Sequence, residues 1–321
     1  MRTSDLVVSN LTDVGLVRQS NQDYYGKYIG PFGYLVIVCD GMGGYSGGEI
    51  ASQTAVEAIS GHMQSLPSEY DETRELERAF ALARMNIAKL AQENPELRDM
   101  GTTAVVFLVK DTRYWFAWIG DSRIYRKRQG WIEQITKDHS WVQSLVDDGL
   151  IKPEDASTHP RKNVILRSLS REEHSADIRG PFPLFRGDIF MLCTDGLSDY
   201  FSPDELGHYL DLDPPLACRQ LVDEAKNRGG KDNITLQVIK SNVGPDPTSA
   251  ARTRRIPLFL GLLAILLTVL LTAAALWYFF VYEPVTGDTL RQANRIDTLN
   301  APAFPDTVSS SFADTLNQTG D

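Results

Sequence analysis

The hydrophobic positions of this chain change period several times along its length, and each change marks an element. Tyr34–Cys39 is a continuous apolar run, the pattern of a strand covered on both faces. Leu6–Leu11 reads as a shorter strand before it. From Gly48 to Met63 the residues Ile50, Ala51, Ala55, Ala58 and Ile59 recur at helical spacing. From Thr73 to Gln92 the residues Leu76, Phe80, Ala83, Ile87 and Leu90 do the same. Three strand-like runs follow, Thr103–Val109, Tyr114–Ile119 and Arg123–Arg128, and Gln129-Gly130 supplies a hairpin turn into Trp131–Ile135. Residues 139–180 are mixed and polar, the pattern of a surface subdomain. Asp188–Thr194 predicts a strand, Pro214–Arg228 a helix stopped by Gly229-Gly230, and Ile234–Ile239 a last strand. Short neighbouring strands with helices at intervals predict layered antiparallel sheets covered by helices, not a parallel doubly wound sheet.

The pattern breaks after residue 250. Ile256 to Tyr282 is an uncharged run of 27 residues, and roughly 20 suffice to cross a bilayer core. Trp277, Tyr278 and Tyr282 gather at its C-terminal end, where an interfacial aromatic belt would sit, and Arg252, Arg254 and Arg255 precede it. A buried core helix of this length normally keeps a polar face, so the run is expected to be one transmembrane helix, 256–282. The positive-inside rule then puts the arginines and everything before them in the cytoplasm, and the tail outside. Residues 1–242 form the cytosolic body, and 243–255 a linker carrying Gly244, Pro245 and Pro247 with a basic juxtamembrane end. The tail, 283–321, is too polar to bury a core and is expected to be disordered. It repeats Asp288-Thr289-Leu290, Asp297-Thr298-Leu299, Asp306-Thr307-Val308 and Asp314-Thr315-Leu316. That repeat is either a docking motif or drift in a low-complexity segment.

Composition narrows the function. Against 32 basic residues stand 42 acidic ones, a net charge of −10, which argues against broad nucleic-acid binding. The excess lies in residues 1–250, with 36 acids and 27 bases. The three cysteines form no C-x-x-C pair, so neither a disulfide framework nor a zinc ribbon is expected. Cys39 and Cys193 lie in apolar runs and read as buried hydrophobes. The first residues lack the continuous apolar core of a signal peptide, in keeping with a cytosolic body.

The acids are placed with a pattern. Asp40 follows the run L-V-I-V-C and precedes G-M-G-G; Asp195 follows I-F-M-L-C-T and precedes Gly196; Asp121 follows Y-W-F-A-W-I-G; Asp232 precedes N-I-T-L-Q-V-I. Each one alone reads first as a turn residue. Four at the rims of buried strands can converge at one sheet edge, because antiparallel neighbours share their ends. Converging carboxylates repel one another, and a divalent cation relieves the repulsion. Mg²⁺ or Mn²⁺ suits aspartate, backbone carbonyl and water. Arg18, in the segment from Asp13 to Asp23, is a candidate for forked capture of phosphate, or a surface ion pair.

Seven motifs stand in order: D-x-G-x-x-R-x-x-N-Q-D, V-C-D-G-M-G-G, G-T-T-A, I-G-D-S-R, K-D-H-S, T-D-G-L-S-D and G-G-K-D-N-I-T. Over about residues 1–240 the chain resembles the metal-dependent PP2C-type (PPM) protein serine/threonine phosphatases in their bacterial form. The resemblance implies an α+β fold, a four-layer α-β-β-α sandwich of two antiparallel sheets flanked by helices, here with one C-terminal transmembrane helix added. It implies a flap at about 140–180. It also implies two Mn²⁺ or Mg²⁺ ions, with Asp40 bridging both, the Gly41 carbonyl on one, and Asp195 and Asp232 completing the other. Asp121, with Asp195, would hold a weaker third ion. Arg18 would grip the substrate phosphate and Asp23 orient the attacking water. The substrates implied are phosphorylated proteins, and the partner a serine/threonine kinase in the same membrane or that kinase's targets.

Two positions depart from the family pattern. Gln22 stands where members carry an acid before Asp23, and Met42 where eukaryotic members carry a histidine general acid. His139 is a replacement acid or a structural histidine. No cysteine chemistry is expected, because Tyr45, Asp199 and Glu224 stand six residues after the three cysteines, where a cysteine phosphatase needs arginine. The alternative to an enzyme is a membrane-anchored pseudophosphatase that binds phosphoproteins, and the tail is a candidate regulatory input. Arg123, Arg126, Lys127 and Arg128 either draw acidic substrates or form a solvated hairpin edge.

Overall fold

In a computed structural model of the chain, residues 5–44, 46–247, 265–279 and 281 are described. The chain divides into two compact units, Met1–Ala251 and Arg252–Asp321.

The first unit opens with strands β1 (Leu6–Asp13), β2 (Asp23–Gly30) and β3 (Gly33–Met42), then helices α1 (Gly47–Gln64) and α2 (Glu72–Glu93). Strands β4 (Gly101–Thr102), β5 (Ala104–Lys110), β6 (Arg113–Ile119), β7 (Arg123–Arg128) and β8 (Trp131–Gln134) follow. The flap carries helices α3 (Trp141–Asp147) and α4 (Pro153–Ala156). The chain returns through β9 (Asp177–Pro183), β10 (Ile189–Cys193), α5 (Asp195–Ser198), α6 (Pro203–Tyr209), α7 (Pro214–Asn227) and β11 (Ile234–Ser241). One sheet has the order β1-β11-β10-β7-β8 and the other β2-β3-β5-β6-β9, with β4 beside β3. Every pairing is antiparallel.

Side-chain alternation on the central strands builds the layers. On β3, Leu35, Ile37 and Cys39 pack with α1 and α2, among Ala55, Ile59, Leu76 and Ile87. The alternate residues Tyr34, Val36 and Val38 pack between the sheets with Phe107, Tyr114 and Phe190. A third cluster joins Met191, Cys193, Leu236 and Val238 to Leu206 of α6 and Leu221 and Val222 of α7. Strands buried on both faces need apolar residues at successive positions, which is why they read as unbroken runs. The alanines of α1 leave room for close backbone approach. The N-terminus of α2 is capped by Asp71, whose carboxylate accepts from the Arg74 amide at 3.0 Å. The result is two antiparallel sheets flanked by helices, as expected.

The direction of the strands decides where chemistry can lie. Strands β1, β3 and β10 end, and β7 and β11 begin, at one end of the sandwich. Thr194, just past β10, donates from Oγ1 to Asp23 of β2 at 3.0 Å and so joins the two sheets there.

Some elements lay outside the sequence reading: β2, β9, and the short helices α3, α4, α5 and α6. β9 carries Pro181 and Pro183, tolerated because it is the edge strand of its sheet. Of the expected transmembrane helix, residues 256–264, 280 and 282 lie outside those described. Within it, residues 265–279 are helical with exposed side chains. Among the described residues no helix is long and apolar enough to cross a membrane. Residues 248–255 of the linker and the whole repeat-bearing tail also lie outside the described residues.

Candidate metal and phosphate site

Asp23 and Asp40 are direct cross-strand partners on β2 and β3. Two threonines from the adjoining β4–β5 segment of the same chain fix the Asp40 backbone. Thr103 Oγ1 accepts from the Asp40 amide at 3.0 Å, and Thr102 Oγ1 donates to the Asp40 carbonyl at 2.8 Å. The G-T-T-A motif therefore holds the acid from the side. Beyond Asp40 the chain is packed backbone on backbone. A Cβ at Gly41 would stand 2.0 Å from the Gly48 carbonyl and 2.4 Å from that of Gln22, so only glycine fits where α1 meets this strand.

The loop bearing Arg18 is stapled to the start of β11. Asn233 Nδ2 donates to the carbonyls of Val14 and Ser20 at 3.0 and 2.9 Å, and its Oδ1 accepts from the Gln22 amide at 2.8 Å. Gly15 has φ +80°, and a Cβ there would lie 2.2 Å from the Asp232 carbonyl. Asp13 accepts from the Gly15 amide at 2.9 Å and from Lys226 Nζ at 2.8 Å. The spacing D-x-G-x-x-R is thus a turn that delivers Arg18 to the acids. Arg18 Nη2 meets Asp232 Oδ2 at 2.7 Å, with side chains 52% and 38% exposed.

All of the sequence-predicted acids come together. Arg18 feels the charges of Asp232, Asp40 and Asp195, in that order. Burial pushes Asp23 up to about 7, opposed by the hydroxyls of Thr235 and Thr194 and aided by the charges of Asp195 and Asp232. Burial, then the charges of Asp23 and Asp195, raise Asp40 well above the carboxylate range. Asp195 rises to about 6 through burial and then its neighbours Asp199 and Asp232. Asp121 rises to about 8 through burial and then Asp195 and Asp138. Four carboxyls thus sit where charge is disfavoured, beside one another. Asp23 Oδ1 is buried without a hydrogen-bond partner.

That donor set fits a hard divalent cation, which takes carboxylate and carbonyl oxygens. Among the described residues no three His, Cys, Asp or Glu side chains are grouped closely enough to hold an ion by themselves. The fit is therefore to an ion that keeps much of its water and takes one or two carboxylates, as Mg²⁺ and Mn²⁺ do, and not to a protein cage.

Other candidates are settled by their partners. His139 Nδ1 accepts from the Gly120 amide at 3.1 Å, and its ring stacks on Trp118 at 5.9 Å. Its Nε2 is buried, 3.7 Å from Asp177 and without a hydrogen bond. Burial pulls this histidine down to about 4, so the ring is neutral and structural. The basic cluster is likewise committed. Arg123 forks onto Asp138, Arg126 meets Glu133 and the Tyr114 hydroxyl, Lys127 meets Asp211 and the Gly207 carbonyl, and Arg128 forks onto Asp188 at 2.6 and 2.7 Å. It is structural and offers no open cation to a substrate. Sequence reasoning missed Thr194, Thr235 and Asn233, although each flanks a motif acid in T-D-G and D-N-I-T.

The family model of Protein phosphatase 2C matches residues 17–231. The chain is 37% identical over 242 residues to the protein phosphatase PhpP of Streptococcus pneumoniae, covering 73% of this chain and 97% of that one. The crystal structure of the Mycobacterium tuberculosis serine/threonine phosphatase PstP/Ppp superposes with a TM-score of 0.69 at 35% identity, over 74% of this chain and 99% of that one. The catalytic domain of PstP in complex with two manganese ions superposes with a TM-score of 0.65 at 35% identity, over 73% and 97%. With its seven ordered motifs, its paired antiparallel sheets and the acids gathered at their shared end, this chain belongs to the protein phosphatase 2C family.

Proposed function

We propose that the chain is a metal-dependent protein serine/threonine phosphatase tethered to the cytoplasmic membrane, acting opposite a serine/threonine kinase. The observation that carries the catalytic part is the meeting of Asp23, Asp40, Asp121, Asp195 and Asp232 beside Arg18 at one end of the sandwich.

Asp40, the Gly41 carbonyl, Asp195 and Asp232 would hold two Mn²⁺ or Mg²⁺ ions, and Asp121 with Asp195 a weaker third. Such ions, when bound, supply Lewis acidity to phosphoryl oxygens and acidify a coordinated water. Arg18 binds the phosphoryl oxygens with the guanidinium edge that Asp232 leaves free. Asp23, pushed up to about 7, holds or accepts a proton near neutral pH. Its Oδ1 is the oxygen for that work, because Oδ2 is engaged by Thr194. The cysteines take no part: burial raises Cys193 to about 12 and Cys218 to about 11, and raises Cys39 further. The pseudophosphatase reading is disfavoured because none of the five acids is replaced.

The tether rests on the uncharged run from Ile256 to Tyr282 and the arginines before it. The kinase rests on the family and on the gain in effective concentration that a shared membrane gives. Phosphate release by the metal-stripped full chain from a phosphothreonine peptide, before and after Mn²⁺, tests the activity. Release only with Mn²⁺ is expected, and release that persists in excess chelator contradicts it. Extraction of membranes with alkaline carbonate tests the tether: the chain should stay in the pellet, and its release into the wash would remove the membrane claim.

A further inference from the structure

A cavity of about 860 Å³ opens beside the acid cluster, with Asp121 and Asp195 in its wall. The flap forms one side through Val142, Val146 and Ala156, and the segment after α5 forms the other through Phe201. Lys162 of the flap ties the two sides together, its Nζ 2.5 Å from Asp199 Oδ2. Ser198 also lines the cavity. It is 4% exposed, and its Oγ is buried without a hydrogen-bond partner. A buried hydroxyl in that state is costly unless something arrives to bond it.

We propose that this cavity receives the stretch of phosphoprotein flanking the phosphoamino acid, and that it favours neutral or basic flanks over acidic ones. The inference rests on the phosphatase reading and names the substrate feature that the same site selects. The cavity is continuous with the acids of the site and far larger than one phosphorylated side chain. Its volume falls in the range of clefts that enclose a whole ligand, about 300–1,000 Å³. The apolar wall matches side chains of an extended segment, and the Ser198 hydroxyl matches a main-chain amide or carbonyl. Charge sets the preference. Both cations of the wall are spent on acids of the wall, Arg123 on Asp138 and Lys162 on Asp199. Glu154 stands at the rim, paired only with Lys152 at 3.8 Å, and both side chains are well exposed. Away from Asp121 and Asp195, which would face the ions, an acidic flank therefore meets Asp138, Asp199 and Glu154 and no open cation.

The test uses the full chain in detergent with Mn²⁺, p-nitrophenyl phosphate, and phosphothreonine peptides flanked by Ala, Lys or Glu. For the unaltered protein the Glu-flanked peptide should have a KM about fivefold or more above the other two. Ala156→Trp fills the cavity. It should raise KM for the Ala-flanked peptide about tenfold and erase the discrimination, with kcat/KM for p-nitrophenyl phosphate changed less than about twofold. Ser198→Ala guards against misfolding: it should hold or raise Tm while raising peptide KM about threefold. Equal KM for the three peptides, peptide KM untouched by both substitutions, or parallel losses on peptide and p-nitrophenyl phosphate would overturn the inference. Hydrolysis of neither substrate by the unaltered protein would instead overturn the phosphatase reading, and this inference with it.

Discussion

Arg18 is held where it is needed by very little stored energy. Its contact with Asp232 is half exposed, and such pairs contribute about 0–1 kcal/mol. Arg18→Ala should therefore leave Tm nearly unchanged while lowering kcat/KM for phosphoesters by about two orders of magnitude. A large fall in Tm with unchanged kcat/KM would make the residue structural. His139 behaves in the opposite way. The fold holds it at about 4 against an ordinary 6.5, so the folded state binds fewer protons than the unfolded chain between those values. Its stabilising contribution is present above pH 6.5 and is lost as pH falls toward 4, by about 3 kcal/mol over the full window. The stability difference between the unaltered protein and His139→Gln should shrink from pH 7 to pH 4.5. A constant difference would show that the ring is not held neutral. At this scale the acids were legible because each ends or opens a buried run beside glycine. Thr194 and Asn233 were not, because a hydroxyl or amide that bonds across the sheets leaves no periodic signal.

The hairpin of β7 and β8 shows how an element consumes charge. A row of cations suggests attraction for acidic substrates until each is followed to its partner. Asp188, 1% exposed, accepts from Arg128 and from the Phe185 amide. Asp188→Ala leaves the guanidinium without its buried partner and should cost about 3–5 kcal/mol, read as a fall in Tm, with the KM for phosphopeptide unchanged. A raised KM at unchanged Tm would restore a substrate role to the cluster. Helix α6 begins with a capping box in which Ser202 and Glu205 bond each other's backbone, and S-P-D-E is that signature in plain sequence. β2 was obscured because its face alternates among Tyr25, Lys27 and Ile29 without a clean apolar period. β9 was obscured by prolines that only an edge position permits.

Across the described sandwich, the ends of β1, β3, β6 and β10 and the starts of β2, β5, β7 and β11 come to one end, and carboxylates close it. Three apolar clusters supply the rigidity that keeps those buried acids together against their mutual repulsion. The layered antiparallel architecture was legible in the run lengths, because doubly covered strands and amphipathic helices leave different periods. The strand order was not, since β1 pairs with β11 across the length of the unit. The claim that unites these scales is that the cluster exists to hold divalent cations for phosphate release. Titration of the metal-stripped full chain with Mn²⁺ tests it most directly, following bound metal by electron paramagnetic resonance and phosphate release together, beside Asp40→Asn, Asp195→Ala and Asp232→Ala. Tight binding and release should appear together in the unaltered protein, and both should be lost in each variant. Tight binding and full release retained in Asp40→Asn and Asp195→Ala would contradict it.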